Sequence, residues 1–399
     1  MAGGILAGIR VLDFGQYIAG PYCAALLADF GADVVRVERP EGNVDRSVVP
    51  LGTDESGEGA LYHALNRNKA SLALDLKRRE ARPVLDRLLA RADIVVANLP
   101  PRGLKALGLD WERLHGLNTR AILVSCTAYG SKGERRDVVG FDGVGQAMSG
   151  AMHMTGTDGE PRKAFANYVD FSTAALSAFG VLLALRRREM TGEGTQVEAS
   201  LLHTAVAMTA TTLIEEHVRR PGRVGTGNRS QLGAPADLFR TRDGWILVQT
   251  VGEEMFGRIA RLVGRPEWPA DARFASDSAR GRHGAEISAG VQAWCGERSS
   301  AECLAAFDAA ALPAAPVLRP RQILEHPLAA SEGWFQWVEA AGLPPLPVVT
   351  PPLHVHAAPG EVRSAAPRLG ADSRAVLARY GFGDSEVEAL VGSGVVQAS

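Results

Sequence analysis

The sequence has little of what marks several protein classes. It contains only four cysteines, Cys23, Cys126, Cys295 and Cys303, and no CxxC pair. This spacing excludes a disulfide scaffold and a cysteine-based metal site, and it indicates buried thiols in a reducing compartment. The formal net charge is only −2, so no basic surface for nucleic acid is expected.

Long apolar runs and a charged leader are also missing. The longest apolar run, residues 176–185, is shorter than the about 20 residues that a membrane-spanning helix needs. Residues 1–8 carry neither the basic segment nor the cleavage site of an export signal. With an apolar fraction of 46%, the chain has the composition of an ordinary globular protein. We therefore expect a cytoplasmic protein without a membrane partner.

Strand-like and helix-like segments alternate in the N-terminal part. A strand at residues 10–14, a helix at 21–30 and a second strand at 34–38 form a right-handed βαβ unit with parallel strands. Further strands are predicted at residues 71–75, 94–97, 122–126 and 195–199. The first turn lacks the G-x-G-x-x-G fingerprint, which argues against a nicotinamide dinucleotide and a dehydrogenase. The pattern predicts an α/β protein whose large domain has a Rossmann-like parallel sheet.

The composition changes near residue 221. A glycine-rich segment at residues 221–235 precedes a predicted hairpin at 238–251, with its turn at 242–244, and helices at 256–263 and 285–295. We therefore expect three parts. They are a large domain at 1–224, a smaller α+β domain at 225–325, and a linker with a C-terminal segment that returns to the large domain at 326–399.

The most distinctive stretch covers residues 159–200. Residues 171–185 are apolar on nearly every side, which predicts a buried helix that ends at Gly192. Asp170 is the one ionisable group at the start of this helix. Two interpretations remain open from the local pattern. Asp170 is either a helix N-cap, a role that Ser172 can also fill, or a catalytic carboxylate.

The wider pattern around Asp170 resembles the family III CoA-transferases. The motif reads G-x-P, then Asp170, an Ala/Leu/Gly-rich helix, R-R-x-x-T-G-E-G-T-Q-V-E and S-L-L-H-T-A. The resemblance implies that Asp170 is a nucleophile, which exchanges CoA between an acyl-CoA and a carboxylic acid through an aspartyl-CoA thioester. It also implies an interlocked homodimer, with CoA as the bound substrate and no metal or NAD.

Three N-terminal segments resemble the CoA-binding segments of that family. They read D-F-G-Q-Y-I-A-G-P with a later V-R-V-E-R-P, N-R-N-K-A-S-L-A-L-D-L-K, and N-L-P-P-R-G. The resemblance assigns CoA contacts to Gln16, Ile18, Ala19, Arg39, Leu76, Lys77, Asn98, Arg102 and Lys105. An arginine after the second strand can meet a ribose phosphate, although a solvated arginine is the alternative at Arg39. Ile18 stands where some members have glutamine.

Two further motifs bear on the reaction. Racemases of the same superfamily have a histidine in the G-H-D motif where this chain has Phe141, and phenylalanine carries no proton to move. The neighbouring Asp142 is expected near Asp170. The glycine-rich loop with Gly225, Thr226 and Gly227 resembles a lid that covers the active site and supplies oxyanion donors.

The substrates and two competing functions remain open. The basic residues Arg162, Lys163 and Arg229 favour a dicarboxylic acid, with succinyl-CoA as the expected donor. A racemase or isomerase on the same scaffold is disfavoured by Phe141. A CoA-binding protein without turnover is disfavoured by the intact Asp170.

Overall fold

The computed structural model describes residues 4–51, 58–157, 159–340 and 342–398. The chain forms two compact units. The first consists of residues 1–149, 165–211 and 327–399, and the second of residues 150–164 and 212–326. The sequence placed the start of the small domain at residue 225. The structure instead adds residues 150–164 and 212–224 to that unit.

Strands and helices alternate over much of the described chain. The strands are β1 (Arg10–Asp13), β2 (Asp33–Glu38), β3 (Lys69–Leu74), β4 (Ile94–Ala97), β5 (Ile122–Thr127), β6 (Gln196–Ser200), β7 (Ala236–Arg240), β8 (Trp245–Gln249), β9 (Ala314–Pro316), β10 (Phe335–Val338), β11 (Leu346–Val349) and β12 (Val396–Gln397). Up to β6 these strands lie within a few residues of the predicted ones.

The helices of the first half are α1 (Ala19–Asp29), α2 (Ala60–Leu65), α3 (Ala81–Leu89), α4 (Pro101–Leu107), α5 (Trp111–Leu117), α6 (Asp142–Met148), α7 (Ala151–Thr155), α8 (Tyr168–Thr191) and α9 (Leu201–Met208). Those of the second half are α10 (Ala210–Arg219), α11 (Gly252–Leu262), α12 (Asp277–Arg282), α13 (Gly284–Gly296), α14 (Ser300–Ala309), α15 (Pro320–Leu324), α16 (Pro327–Ser331), α17 (Ser373–Arg379) and α18 (Asp384–Gly392).

The main sheet of the first unit has the strand order β12-β3-β2-β1-β4-β5-β6. The six neighbouring strands β3, β2, β1, β4, β5 and β6 pair in parallel, whereas the short β12 pairs antiparallel with β3. The order 3-2-1-4-5-6 is that of the Rossmann fold, so the predicted fold class is confirmed. The strand order reverses between β1 and β4, and ligands bind at this point in such sheets.

Helices cover both faces of this sheet. Successive residues of a strand point to opposite faces, and Val11 and Leu12 belong to different core clusters, as do Val95 and Val96. Residues of α1, α8 and α9 pack on one face, and residues of α3, α5, α17 and α18 pack on the other. Because both faces are buried, the strands read as nearly continuous apolar runs.

The prediction of a fully buried α8 is wrong for the single chain. Ala174 and Val181 are fully buried against the sheet, whereas the side chains of Leu176, Phe179 and Leu183 are 51–58% exposed. One side of α8 packs against the sheet, and the opposite side of the helix is left uncovered by the chain. The helix α8 has 24 residues, and an 18-residue window of it has a mean hydropathy of 1.6, so it is long and apolar enough to span a membrane. Core helices of soluble proteins have the same length and composition, so this alone does not place α8 in a bilayer.

The second unit is built around the predicted hairpin. Strands β7 and β8 pair antiparallel, and β9 extends them to a three-stranded sheet. A core that includes Phe239, Ile246, Phe256 and Phe307 joins this sheet to its helices. The sequence missed α14, although its start carries a complete capping box between Ser299 and Glu302.

Candidate active site

A small cavity lies at the switch point of the first unit. Its volume is about 160 Å³, and it opens where β1, β4 and β5 end. The lining residues are Gln16, Tyr17, Ala19, Asn98, Leu99, Pro100, Cys126, Thr127, Ala128, Val139, Gly140, Phe141, Asp170 and Leu201. The motifs singled out after β1, after β4, around residue 141 and at the start of α8 therefore meet in one place.

Asp170 lies in the first turn of α8 with only 8% of its surface exposed. The N-cap of this helix is Asn167, and its side chain makes no capping hydrogen bond. The interpretation of Asp170 as the helix N-cap is therefore wrong. Within the described residues, no side chain donates a hydrogen bond to the Asp170 carboxylate, and no cation pairs with it. Asp170 is thus a buried carboxylate without a partner side chain.

This environment changes the acidity of Asp170. Burial, as the larger cause, and the nearby charge of Asp142 together raise its pKa from the ordinary 3.8 to about 7. A hydrogen bond from the Asp142 backbone opposes part of this shift. Close to neutral pH the Asp170 carboxyl group therefore exists in both protonation states, as in many catalytic acids and bases.

Asp142 supplies the cap that α8 lacks from its own residues. Its Oδ2 accepts hydrogen bonds from the backbone N–H groups of Val169 at 2.8 Å and Asp170 at 3.1 Å. Its Oδ1 accepts a hydrogen bond from Gln146, and Asp142 is only 3% exposed. Two backbone donors at the helix start, which no earlier turn can satisfy, are thus satisfied by a carboxylate from α6.

The loop after β1 is held by Asn98. The Asn98 Oδ1 accepts a hydrogen bond from the Gln16 backbone N–H at 2.8 Å, and its Nδ2 donates to the Gln16 carbonyl at 2.6 Å. Both ends of the amide side chain are therefore engaged with the loop. Asn98 also lines the cavity beside Asp170, and its contact with CoA, implied by the resemblance, stays a prediction.

The other predicted CoA contacts differ in which cavity of the first unit they line. Gln16 and Ala19 line the cavity beside Asp170, whereas Ile18 is buried and does not line it. Leu76 and Lys77 lie in a separate cavity of about 420 Å³ in the same unit. Arg78, Arg79 and Arg82 also line this cavity, so its wall is strongly basic. Such a wall suits phosphate groups.

Three predicted basic contacts lie outside the linings of both cavities. Arg39 donates to the carbonyl of Gly42 at 3.2 Å, and its side chain is 43% exposed. Lys105 is exposed, and Arg102 is tied through its backbone N–H to Asp137.

The expected lid residues belong to the second unit. The Gly227 N–H donates to the Gly156 carbonyl at 2.8 Å, and Thr226 forms a β-bridge with Thr157. A Cβ atom at Gly225 would come within 2.2 Å of the Gly156 oxygen, so close packing requires glycine there. The loop is therefore attached to the segment around residue 156.

The other residues weighed in the sequence are also in the second unit. Arg162 and Lys163 are exposed, and Arg229 packs beside Gly284. His153 makes a local hydrogen bond with the Arg223 carbonyl at 3.1 Å.

Comparison with known proteins identifies the family. The profile of CoA-transferase family III matches residues 6–373. The chain belongs to CoA-transferase family III. The enzyme is therefore a CoA-transferase, and the family implies CoA thioesters as its substrates.

Named relatives extend over nearly the whole chain. The enzyme is 31% identical over 374 residues to succinyl-CoA–D-citramalate CoA-transferase of Chloroflexus aurantiacus, covering 93% of each chain. It is also 31% identical to succinate–glutarate CoA-transferase of Agrobacterium fabrum, covering 94% of this chain and 95% of that one. A CAIB/BAIF family protein from Brucella suis has a similar crystal structure, with a TM-score of 0.83 and 28% identity. The match covers 95% of the enzyme and all of that chain.

Several cavity residues of the enzyme were missed in the sequence. They are Tyr17, Leu99, Pro100, Cys126, Thr127, Ala128, Val139, Gly140 and Leu201. Most of them lie at or just after the end of a predicted strand near the switch point, and this position was the available signal. Tyr17 carries the same signal, because it stands in the turn after the strand predicted at residues 10–14.

Proposed function

We propose that this CoA-transferase works through a covalent aspartyl-CoA thioester on Asp170. The observation that carries the proposal is the buried Asp170 carboxylate, which lines the cavity and has no partner side chain within the described residues. A carboxylate committed to a salt bridge would be a poor nucleophile. A desolvated carboxylate with a raised pKa is a better one.

The proposed reaction transfers CoA from the donor to Asp170 in two steps and from Asp170 to the acceptor in two more. The Asp170 carboxylate attacks the thioester carbonyl of the donor, which releases the CoA thiolate and forms a mixed anhydride. The thiolate then attacks the aspartyl carbonyl and releases the donor carboxylate, leaving the aspartyl-CoA thioester. The acceptor carboxylate repeats both steps in reverse, which forms the new acyl-CoA and restores the Asp170 carboxylate.

Each intermediate must be kept from water, because an anhydride or a thioester hydrolyses irreversibly. We assign this role to the lid of Gly225, Thr226 and Gly227; the Gly227 N–H donates to the Gly156 carbonyl, so it would have to leave that bond to stabilise an oxyanion. We assign the CoA phosphates to the basic cavity with Lys77, and the adenine ring to the neighbouring Leu76. The proposed steps draw on no metal and no NAD.

We propose a dicarboxylic acid or its CoA ester as the substrate, with succinyl-CoA as the donor. The names of two relatives support this, since both refer to succinyl-CoA or succinate together with another dicarboxylic acid. Arg162, Lys163 and Arg229, named in the sequence as candidates for a second carboxylate, belong to the second unit and stay a prediction. Phe141 argues against a racemase, because its side chain cannot transfer a proton.

We further propose that the enzyme is a cytoplasmic homodimer. The exposed apolar residues Leu176, Phe179 and Leu183 of α8 support a second chain as their cover. Apolar side chains exposed along one helix are typical of an interaction surface. The four buried, unpaired cysteines support a reducing compartment.

The test is intact-mass spectrometry of the protein mixed with succinyl-CoA, with and without hydroxylamine. We expect a CoA-sized adduct that hydroxylamine removes, leaving a hydroxamate on the peptide that contains Asp170. Asp170→Asn keeps the size of the side chain and should form no adduct. The matched control is Asp110→Asn, which alters a helix-capping carboxylate elsewhere in the same unit and should still form the adduct.

Two outcomes would contradict the proposal. An adduct that persists in Asp170→Asn would place the nucleophile elsewhere. Tight CoA binding without any adduct, across a panel of acyl-CoA esters, would support a CoA-binding protein without turnover.

A further inference from the structure

Tyr17 has an unusual backbone conformation for its residue type. Its φ angle is +59°, in the left-handed region that non-glycine residues rarely adopt. Such a conformation persists only where the surrounding structure enforces it, and it is often found at ligand-binding sites. The turn after β1 would accept glycine at this position, yet the chain has a large aromatic residue there.

Buried polar groups hold this conformation in place. The Tyr17 backbone N–H donates to Asp45 Oδ2 at 3.0 Å. Asp45 is itself fixed, because both of its carboxylate oxygens accept hydrogen bonds from Arg36 Nη2 at 2.9 Å, and both residues are fully buried. On the other side, Asn98 clamps the backbone of Gln16. The loop is thus anchored at two successive residues.

The enforced conformation brings the Tyr17 ring to the cavity wall. The ring meets Phe141 edge to face, with 5.2 Å between the ring centroids and 85° between the planes. Both residues line the cavity that contains Asp170. Within the described residues, the Tyr17 hydroxyl has no hydrogen-bond partner, so it can donate to or accept from a bound molecule.

The size of the cavity limits what it can hold. Pockets for drug-sized ligands span about 300–1,000 Å³. A cavity of about 160 Å³ is too small for the CoA nucleotide but has room for a short acyl group. The aromatic pair supplies apolar surface for its methylene carbons, and the hydroxyl supplies one polar contact.

We propose that Tyr17 is a specificity-determining residue, whose hydroxyl binds the polar end of a short acyl group held against the Tyr17–Phe141 pair. This inference rests on the proposed function and deepens it by naming the residue that recognises the free end of the acyl group. The preferred donor is a short acyl-CoA that ends in a carboxylate. An acyl-CoA of equal length that ends in a methyl group leaves the hydroxyl without a partner.

The experiment compares pairs of donors that differ only at that end, such as succinyl-CoA and butyryl-CoA, or glutaryl-CoA and valeryl-CoA. We measure kcat/KM for each donor in the wild type and in Tyr17→Phe, which keeps the ring and loses the hydroxyl. A hydrogen bond to a charged group corresponds to about a tenfold to hundredfold preference. Tyr17→Phe should lose this preference for the carboxylate donors while changing the methyl donors by less than about twofold.

A second variant and a control separate the ring from the hydroxyl. Tyr17→Gly suits the left-handed backbone, so it should fold, lose the same preference and raise KM for both classes of donor. The control is Tyr380→Phe, because the Tyr380 hydroxyl is buried in the core without a partner within the described residues. It should leave every ratio unchanged.

The results distinguish this inference from the proposed function. If the wild type forms the hydroxylamine-sensitive adduct but Tyr17→Phe keeps the wild-type donor ratio, Tyr17 does not determine specificity and only this inference fails. If the wild type forms no adduct with any donor, the thioester mechanism fails first. Dissociation constants of succinyl-CoA and butyryl-CoA, measured with the Asp170→Asn variant, give a readout without turnover. Adding Tyr17→Phe to this variant should make the two dissociation constants equal.

Discussion

The Asp142 carboxylate accepts a hydrogen bond from the backbone N–H of Asp170 at 3.1 Å, so one acidic side chain caps the helix turn that carries another. Asp142 takes over the capping role, which leaves the Asp170 carboxylate at the cavity without a partner side chain within the described residues. The same contact brings a negative charge near Asp170 and raises its pKa. Asp142 therefore affects the position of Asp170 and adds to the effect of burial on its acidity.

The acidity of Asp170 predicts a pH dependence of adduct formation. The attacking group must be the carboxylate, and its pKa is raised to about 7. Below that pH the ionised fraction falls about tenfold per pH unit, and the initial rate should fall with it. Quenched-flow mass spectrometry between pH 5 and 8, at saturating acyl-CoA, measures this rate. A rate that stays constant down to pH 5 would contradict the prediction.

Asp142→Asn should shift this profile to lower pH. The amide keeps an oxygen that can accept from the two backbone N–H groups, but it removes the like charge that raises the pKa of Asp170. The pKa of Asp170 should therefore fall, and activity at pH 5–6 should rise relative to activity at pH 8. Asp110→Asn weakens a cap on α5 and serves as the control, with an unchanged profile. An identical profile for Asp142→Asn would show that its charge is not felt at Asp170.

Asp170→Asn should change how stability depends on pH. A carboxyl group whose folded-state pKa is raised stabilises the fold at low pH, and this contribution is lost progressively as pH rises from the ordinary pKa of 3.8 to the folded value of about 7. The roughly two pH units of this range above pH 5 correspond to about 3 kcal/mol as an upper limit. The variant should therefore gain stability relative to the wild type on going from pH 5 to pH 8. Urea unfolding at both pH values measures the difference, and a pH-independent difference would contradict it.

Asn98→Ala should loosen the loop after β1. The substitution leaves the Gln16 N–H and carbonyl without their partner. Where these groups stay buried, this lowers the free energy of unfolding by about 1–3 kcal/mol. We expect a lower urea midpoint and a higher KM for acyl-CoA, because Gln16 and Tyr17 line the cavity. Asn98→Asp keeps the acceptor for the Gln16 N–H, so its KM for acyl-CoA should rise less than that of Asn98→Ala. Equal effects of the two substitutions would indicate that the hydrogen bond from the Gln16 N–H is unimportant.

Charges on the exposed side of α8 should prevent dimer formation. Phe179→Glu and Leu183→Glu replace side chains that are 58% and 57% exposed in the single chain, so the fold of each chain should survive. Analytical ultracentrifugation should find the wild type as a dimer and both variants as monomers with unchanged circular dichroism. Leu117→Glu, at an exposed position on α5, is the control and should remain dimeric. A monomeric wild type would refute the proposed assembly.

Much of the fold was predictable because its signals are local. The strands β1, β2, β4 and β5 are short apolar runs that end at polar or glycine-rich turns, and a few residues of context identify each of them. The hairpin of β7 and β8 was predictable for the same reason, from its Arg-Asp-Gly turn. The end of α8 was predicted correctly at Gly192, because this glycine adopts the left-handed conformation of a helix C-cap.

The division of roles in the site was not predictable in this way. A carboxylate near a helix start can cap the helix or remain free, and the sequence of α8 alone does not distinguish the two for Asp170. The deciding partner, Asp142, lies 28 residues earlier in the chain. Asn98 and Gln16 form a similar case, since they are 82 residues apart and meet only when β1 and β4 pair.

The sequence by itself determined the family, the order of strands and helices, and Asp170 as the candidate nucleophile, because these depend on residue types at short spacings. The tertiary structure decided which acidic side chain caps α8, which amide holds the β1 loop, and where the Tyr17 ring lies. Those outcomes depend on burial and on hydrogen bonds between distant segments. Such contacts exist only after the parallel strands bring their carboxyl ends together at one edge of the sheet.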